Sequence, residues 1–172
     1  MTKSQSEMFS VDRPKKTGAS NNRHSSNQAY ETPWKFIRAV EARYGPLATD
    51  LACTFENKKA PGWVTEATDS LRSDFLWHGL NGLLWLNPPF GSIAPWAEKC
   101  AMEAVKGAQI LLLTPASVDA NWWSNFIHGR AWVDFLSPRI QFDGADDPFP
   151  KPLALSVFNL AGIGYGPWRW QK

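Results

Sequence analysis

The chain has 172 residues, 44% of them hydrophobic, and a formal charge of +2, which suits one domain with a real core and leaves little room for a second. So slight a charge does not by itself mark a nucleic-acid binder, and no apolar stretch reaches membrane-spanning length. Cys53 and Cys100 show no paired or metal-type spacing and His24, His78 and His128 are scattered singly, so no disulfide and no metal are expected and a reducing cytoplasm is the natural setting.

Residues 1–28, "MTKSQSEMFSVDRPKKTGASNNRHSSNQ", hold Lys3, Arg13, Lys15, Lys16 and Arg23 against Glu7 and Asp12. With almost no apolar periodicity the segment cannot offset the entropy of ordering, and it reads as a flexible basic tail. The domain proper, 29–172, opens on "ETPWKFIRAVEARYGP". There Thr32 is an N-cap candidate, Pro33 suits the first helical position, and Phe36, Ile37, Val40 and Tyr44 share one face. Gly45-Pro46 ends that helix. "PLATDLAC" then reads as a strand delivering Asp50 near its carboxyl end. Residues 54–81 are irregular, with short helical or extended pieces.

"GLLWL" is a fully apolar run of strand length, expected at the centre of a sheet covered on both faces. "SIAPWAEKCAMEAVKGA" follows as a helix with Pro95 near its start. Trp96, Ala97, Cys100, Ala101, Ala104 and Val105 form its inner face, and Gly107 closes it. "QILLLT", halted by Pro115, completes a strand–helix–strand unit whose strands should be parallel. A further helix is expected over 120–131, capped by Asp119, with Trp122, Trp123, Phe126 and Ile127 inward. "WVDFL", "RIQF" and "LALSVF" are three strand candidates, the last two pairing antiparallel at a sheet edge. The fold class is therefore α/β, a single sheet with a parallel centre and an antiparallel C-terminal edge.

The apolar run of "LLWLNPPFG" stops at Asn87-Pro88-Pro89-Phe90, since proline cannot donate to a ladder and fixes its own φ. In open parallel sheets ligands bind outside the carboxyl ends of the strands, where Asn87 falls. An exocyclic amino group on a purine is a poor nucleophile because its lone pair is delocalised into the ring. Two acceptors, the Asn87 side-chain oxygen and the Pro88 carbonyl, would take both amino hydrogens and aim the lone pair at an electrophile. Pro88 and Pro89 stiffen the acceptors, and the Phe90 ring would stack on a planar base flipped from a duplex.

These residues resemble the phage and prophage Dam-type DNA N-6-adenine methyltransferases. The resemblance spans roughly 30–159 and rests on "ETPWKFIRAVEARYGP", "DLAC", "TEATDSL", "WLNPPFGSIAPWAEKC", "LLTPASVDANWW", "RIQF" and "PLALSVF" in order. It implies a Rossmann-like sheet that uses S-adenosyl-L-methionine to methylate N6 of adenine in duplex DNA, in the cytoplasm of a bacterial host. Carried over, Asn87, Pro88, Pro89 and Phe90 are the catalytic motif. Thr32 and Pro33 lead into the cofactor site, and Asp50 with Ala52 and Cys53 in the turn after it forms the first cofactor-binding strand. Asp69, with Asp74 as competitor, is the acid that hydrogen-bonds the cofactor, and Asn87 also faces it.

Two departures stand out: "DLACT" has no glycine, so the dinucleotide-type fingerprint is absent, and Pro138-Arg139 replaces the family's Gly-Arg. The same NPPF motif serves methyltransferases acting on RNA and on protein side chains. A catalytically inactive nucleic-acid-binding module is a further alternative. Residues 54–68, 117–125 and the turn "DGADDPFPKP" are the candidate readout loops.

Overall fold

The computed structural model describes residues 30–171; the expected basic tail lies outside them. A seven-stranded sheet runs in the order β2-β1-β3-β4-β6-β5-β7. Its strands are β1 (Leu47–Asp50), β2 (Gly62–Trp63), β3 (Leu83–Leu86), β4 (Gln109–Pro115), β5 (Trp132–Ser137), β6 (Leu153–Phe158) and β7 (Gly164–Arg169). Helices α1 (Trp34–Tyr44), α2 (Ala94–Val105) and α3 (Asn121–Phe126) cover it. β1, β2, β3 and β4 are mutually parallel, as the strand–helix–strand reading requires. One short 3-10 turn, Trp77–Gly79, and the two-residue β2 are the ordered pieces of the irregular stretch over 54–81.

The antiparallel part differs from expectation. β6 pairs antiparallel with both β4 and β5, and the edge strand β7 runs parallel to β5. The reversed strand therefore lies inside the sheet, and the C-terminal edge is not antiparallel. "RIQF" forms no strand. Its alternation is real, since Ile140 and Phe142 are buried, but its backbone bonds go elsewhere: the Phe149 amide donates to the Ile140 carbonyl and the Asp143 amide to the Glu31 carbonyl. β7 had no signal in the sequence because Gly164, Gly166 and Pro167 read as loop residues. Proline is tolerated in an edge strand, and a Cβ on Gly166 would meet the Trp132 ring at 2.9 Å.

Alternation along the strands divides the core between two faces. Leu84, Leu86, Ile110 and Leu112 pack with Trp77, Cys100 and Trp123 on the side of α2 and α3. Trp85, Leu111 and Leu113 pack with Phe36, Ile37, Val40 and Trp170 on the side of α1. The α1 helix begins at Trp34, with Pro33 extended at the N-cap position and no side-chain cap. Thr32 does not cap it, because its hydroxyl is engaged by Asn87.

The inner face of α2 is as read at Ala97, Cys100, Ala101 and Ala104, but Val105 is 82% exposed and Glu103 is buried. Glu103 is held there by polar partners: Oε2 accepts from the His78 amide at 3.0 Å and lies 2.5 Å from His78 Nδ1, and Oε1 accepts from Lys106 Nζ at 3.3 Å. The α3 helix is shorter than expected. It starts after Ala120 with no side-chain cap from Asp119, and the Ser117 carbonyl accepts from the Ala120 amide instead. Trp123 and Ile127 are buried, while Trp122 and Phe126 are half-buried against the core.

Candidate active site

Outside the carboxyl ends of β1 and β3 lies a cleft of about 640 Å3. Its position follows from the fold: parallel strands splay their loops apart at that end, and the segment leading into α1 crosses over it. Of the residues anticipated from sequence, Thr32, Asp50, Ala52, Cys53, Asp69, Asn87 and Pro89 line the cleft. Pro33, Pro88, Phe90 and Asp74 are not among its walls.

Asn87 ends the rigid β3, whose four residues are all buried. Its Nδ2 donates to the Tyr30 carbonyl at 2.6 Å and to Thr32 Oγ1 at 3.1 Å. Both amide hydrogens are thus committed to the segment before α1, and the amide can only be oriented one way. The consequence is that Asn87 Oδ1 is buried with no hydrogen-bond partner among the described residues. Leaving a buried acceptor unpaired costs roughly 1–3 kcal/mol; Asn87 lines the cleft, and its Oδ1 shares that status with the core hydroxyls of Thr114 and Ser156.

Pro88 is buried and Pro89 exposed. The Phe90 ring is half-buried in an aromatic group, with centroids 5.4 Å from Tyr30, 6.1 Å from Phe142 and 5.4 Å from Phe149. Of that group Tyr30 lines the cleft.

Asp50 is a buried carboxylate whose oxygens are both used by the local backbone: Oδ1 accepts from the Ala52 amide at 3.3 Å and Oδ2 from the Lys59 amide at 2.9 Å. Burial pushes its pKa up and these amides oppose that. It shapes the turn after β1 in place of the missing glycine. Burial and the neighbouring Asp50 charge push the Cys53 thiol up to about 12, which favours its neutral form in the cleft wall.

Asp69 adopts φ +53°, a left-handed conformation that aspartate tolerates better than most residues. Its Oδ1 accepts from the Leu71 amide at 3.0 Å. Asp74 instead pairs with Arg72 at 2.6 Å on the open surface, so of the two acids the fold brings Asp69 to the cleft.

Sequence reading missed Tyr30, Glu31, Lys59, Glu66, Ser70 and Trp96, all of which line the cleft. Glu66 follows β2, the strand beside β1, so a strand-by-strand reading of the irregular stretch was the signal that could have found it. Lys59 had no signal, since only the fold of the loop turns it inward. The loop after Asp69 is clamped from α2: Lys99 Nζ donates to the carbonyls of Ser70, Arg72 and Phe75 at 2.7, 2.5 and 2.8 Å. Among the described residues no group of acids, histidines and cysteines is placed to hold a metal ion, and no helix is long and apolar enough to cross a membrane.

A family model described as "DNA N-6-adenine-methyltransferase (Dam)" matches residues 19–151, well over half of the chain. The chain belongs to the Dam DNA N-6-adenine-methyltransferase family. Within that match fall Tyr30, Thr32, Asp50, Asp69 and the whole Asn87–Phe90 motif. A DNA N-6-adenine-methyltransferase of Escherichia phage T1 is 29% identical over 114 residues, which cover 66% of this chain and 47% of that relative. The chain thus spans about half the length of the curated relative it matches. The Dam match ends before β6 and β7, so the reversed strand and the parallel edge lie beyond it.

Proposed function

We propose that this Dam-family chain transfers a methyl group from S-adenosyl-L-methionine to the N6 amino group of adenine in DNA, with residues 29–172 as the catalytic unit on a Rossmann-like methyltransferase sheet. The observation that carries this reading is the unpartnered, oriented Asn87 Oδ1 at the carboxyl end of a central parallel strand. It is an acceptor held in wait for an N–H donor, which is what an exocyclic amino group presents.

The cleft fits a nucleoside-bearing methyl donor in size and in chemistry. Its volume of about 640 Å3 lies within the range of cofactor sites, and its walls combine apolar surface with acids suited to hydroxyl and amine donors. Thr32, Asp50, Ala52, Cys53, Asp69 and Asn87 would hold the cofactor, with Pro33 shaping the entry from the α1 side. Bound S-adenosyl-L-methionine supplies an electrophilic methyl group on a sulfonium centre.

The protein's own part is orientation. Asn87 Oδ1 accepts one amino hydrogen of the flipped adenine and the Pro88 carbonyl takes the other, which draws the nitrogen toward tetrahedral geometry and exposes its lone pair. The nitrogen becomes acidic only after it has attacked, so no strong base is needed beforehand. Pro89 stiffens the peptide and Phe90, backed by Tyr30, Phe142 and Phe149, offers the aromatic support for the base. Such a reaction belongs in the cytoplasm of a bacterial host, where the DNA is.

The test offers purified protein and labelled S-adenosyl-L-methionine to duplex DNA, RNA and protein extract, with an Asn87→Ala control. Label is expected at N6 of adenine in DNA, reduced by about two orders of magnitude in the control. Label in RNA or protein but never in DNA would overturn the choice of substrate, and cofactor-free DNA binding without transfer would point to a non-catalytic module.

A further inference from the structure

The cleft walls carry five charged side chains, Glu31, Asp50, Lys59, Glu66 and Asp69. Lys59 is the one cation among them. Its side chain is 3% exposed, yet its ammonium has one carboxylate partner among the described residues, Glu31, with Nζ 2.9 Å from Oε1. Glu31 is itself 42% exposed. The Lys59 ammonium also lies 4.9 Å from the centre of the Trp34 ring, and the Lys59 amide is tied to Asp50 at the end of β1. The pair is therefore anchored from both walls, the helix entry on one side and β1 on the other.

An ammonium has three donors and a buried one is stable only when they are satisfied. Glu31 uses one. Asp50 feels the Lys59 charge, but its oxygens accept from the Ala52 and Lys59 backbone amides and no hydrogen bond joins it to the ammonium among the described residues. Among the described residues two donors thus remain on a cation that lines the cleft, beside a Glu31 carboxylate whose second oxygen accepts no hydrogen bond. This arrangement is the electrostatic complement of a zwitterion: an α-amino acid laid against it places its carboxylate on the ammonium and its ammonium on the carboxylate, so every charge meets an opposite one.

We propose that the Lys59–Glu31 ion pair is the receptor for the amino-acid end of the methyl donor, Lys59 holding the α-carboxylate and Glu31 the α-ammonium. The assignment rests on the reading that the cleft binds S-adenosyl-L-methionine. It leaves Glu66 and Asp69, on the β2 side, to the nucleoside end, where hydroxyl donors and no negative charge are presented.

Calorimetric titration of the full chain tests this with three ligands: S-adenosylhomocysteine, which keeps the zwitterion; decarboxylated S-adenosylmethionine, which keeps only the ammonium; and 5′-methylthioadenosine, which has neither. Lys59→Met should weaken S-adenosylhomocysteine by roughly tenfold to a hundredfold, the worth of a charged hydrogen bond, and leave 5′-methylthioadenosine unchanged. Glu31→Gln should weaken both ammonium-bearing ligands and spare 5′-methylthioadenosine.

Equal weakening of all three ligands by Lys59→Met would reduce the pair to a structural support and overturn the proposal. Should Lys59→Met fail to fold, Glu31→Gln and the unmodified protein decide: S-adenosylhomocysteine and 5′-methylthioadenosine binding equally well would also overturn it. Failure of the underlying cofactor reading looks different, since the unmodified protein would then bind none of the three, and both readings would fall together.

Discussion

Thr32 Oγ1 accepts a hydrogen bond from Asn87 Nδ2 at 3.1 Å, across 55 positions of sequence. That bond and the one to the Tyr30 carbonyl at 2.6 Å hold the Asn87 amide in the orientation that leaves Oδ1 without a partner among the described residues. On the proposed function Thr32 would act on the amino group being methylated through Asn87, as a positioning residue.

Thr32→Val removes one of the two anchors while keeping the shape of the side chain. A single hydrogen bond of this kind is worth roughly 1 kcal/mol, so kcat for DNA methylation should fall by about five- to tenfold with KM for DNA little changed. Thr32→Ser, which restores the hydroxyl, should recover most of the rate. Steady-state kinetics on the three proteins checks this, and equal loss in the serine and valine variants would remove the positioning role.

Lys99 reaches from α2 to three carbonyls of the loop that follows Asp69. Lys99→Met leaves those carbonyls without their shared donor, and the loop should no longer present Asp69 in one geometry. Affinity for S-adenosylhomocysteine is expected to drop by about tenfold, while the far-ultraviolet circular dichroism stays that of the unmodified protein.

Tyr44 donates its hydroxyl to the fully buried Asp134, which also receives Arg43 Nη2 at 3.1 Å and Trp132 Nε1 at 2.9 Å. Burial, then the bond to Asp134, pushes the Tyr44 hydroxyl up to about 12 from its ordinary 10.0. A raised pKa means that the folded chain keeps a proton which the unfolded chain releases. The stabilisation is therefore whole below pH 10 and is lost as pH rises through about 12. Urea midpoints measured across that window should decline more steeply for the unmodified protein than for Tyr44→Phe.

Glu103 behaves in the opposite sense. Burial raises its pKa, but hydrogen bonds from the His78 amide and ring and from Lys106 outweigh that and leave it lowered. A depressed carboxyl gives stability that is present above the ordinary glutamate pKa of 4.5 and is lost as pH falls through its folded value. Glu103→Gln should flatten the acid limb of the stability profile, read from thermal melts between pH 3 and 6.

Gly82 enters β3 at φ +81°, and a Cβ there would meet the Ala48 Cβ at 2.7 Å. Gly82→Ala combines a strained backbone with a clash against the neighbouring strand. It should cost about 1–3 kcal/mol, seen as a lowered urea midpoint, and should reduce activity by shifting the strand that carries Asn87.

Much of this protein is legible in the sequence where the signal is local. The β3 run, the helices α1 and α2 and the parallel strand–helix–strand unit follow from apolar periodicity and from the places where proline and glycine interrupt it. Asn87 could be found because a strand terminator and a polar side chain coincide there. The choice of adenine in DNA came from family resemblance, since an acceptor at a strand end by itself suits any conjugated amino nitrogen.

Other features depend on partners far away in sequence, and composition does not record them. Thr32 reads as a helix cap until Asn87 claims its hydroxyl. Ile140 and Phe142 have a strand's alternation, but Glu31 and Phe149 take up the neighbouring backbone bonds, and β7 is a strand only because β5 offers it an edge. Nothing local marks Lys59; the loop after β1 places its ammonium against Trp34 and Glu31. The sequence by itself determined the layered α/β scaffold and the position of Asn87, because short-range hydrophobic patterning and backbone chemistry suffice for those. Tertiary structure alone decided which oxygen of the site is left without a partner and which charges face the cleft, because hydrogen bonds and ion pairs are closed by residues that only the completed fold brings together.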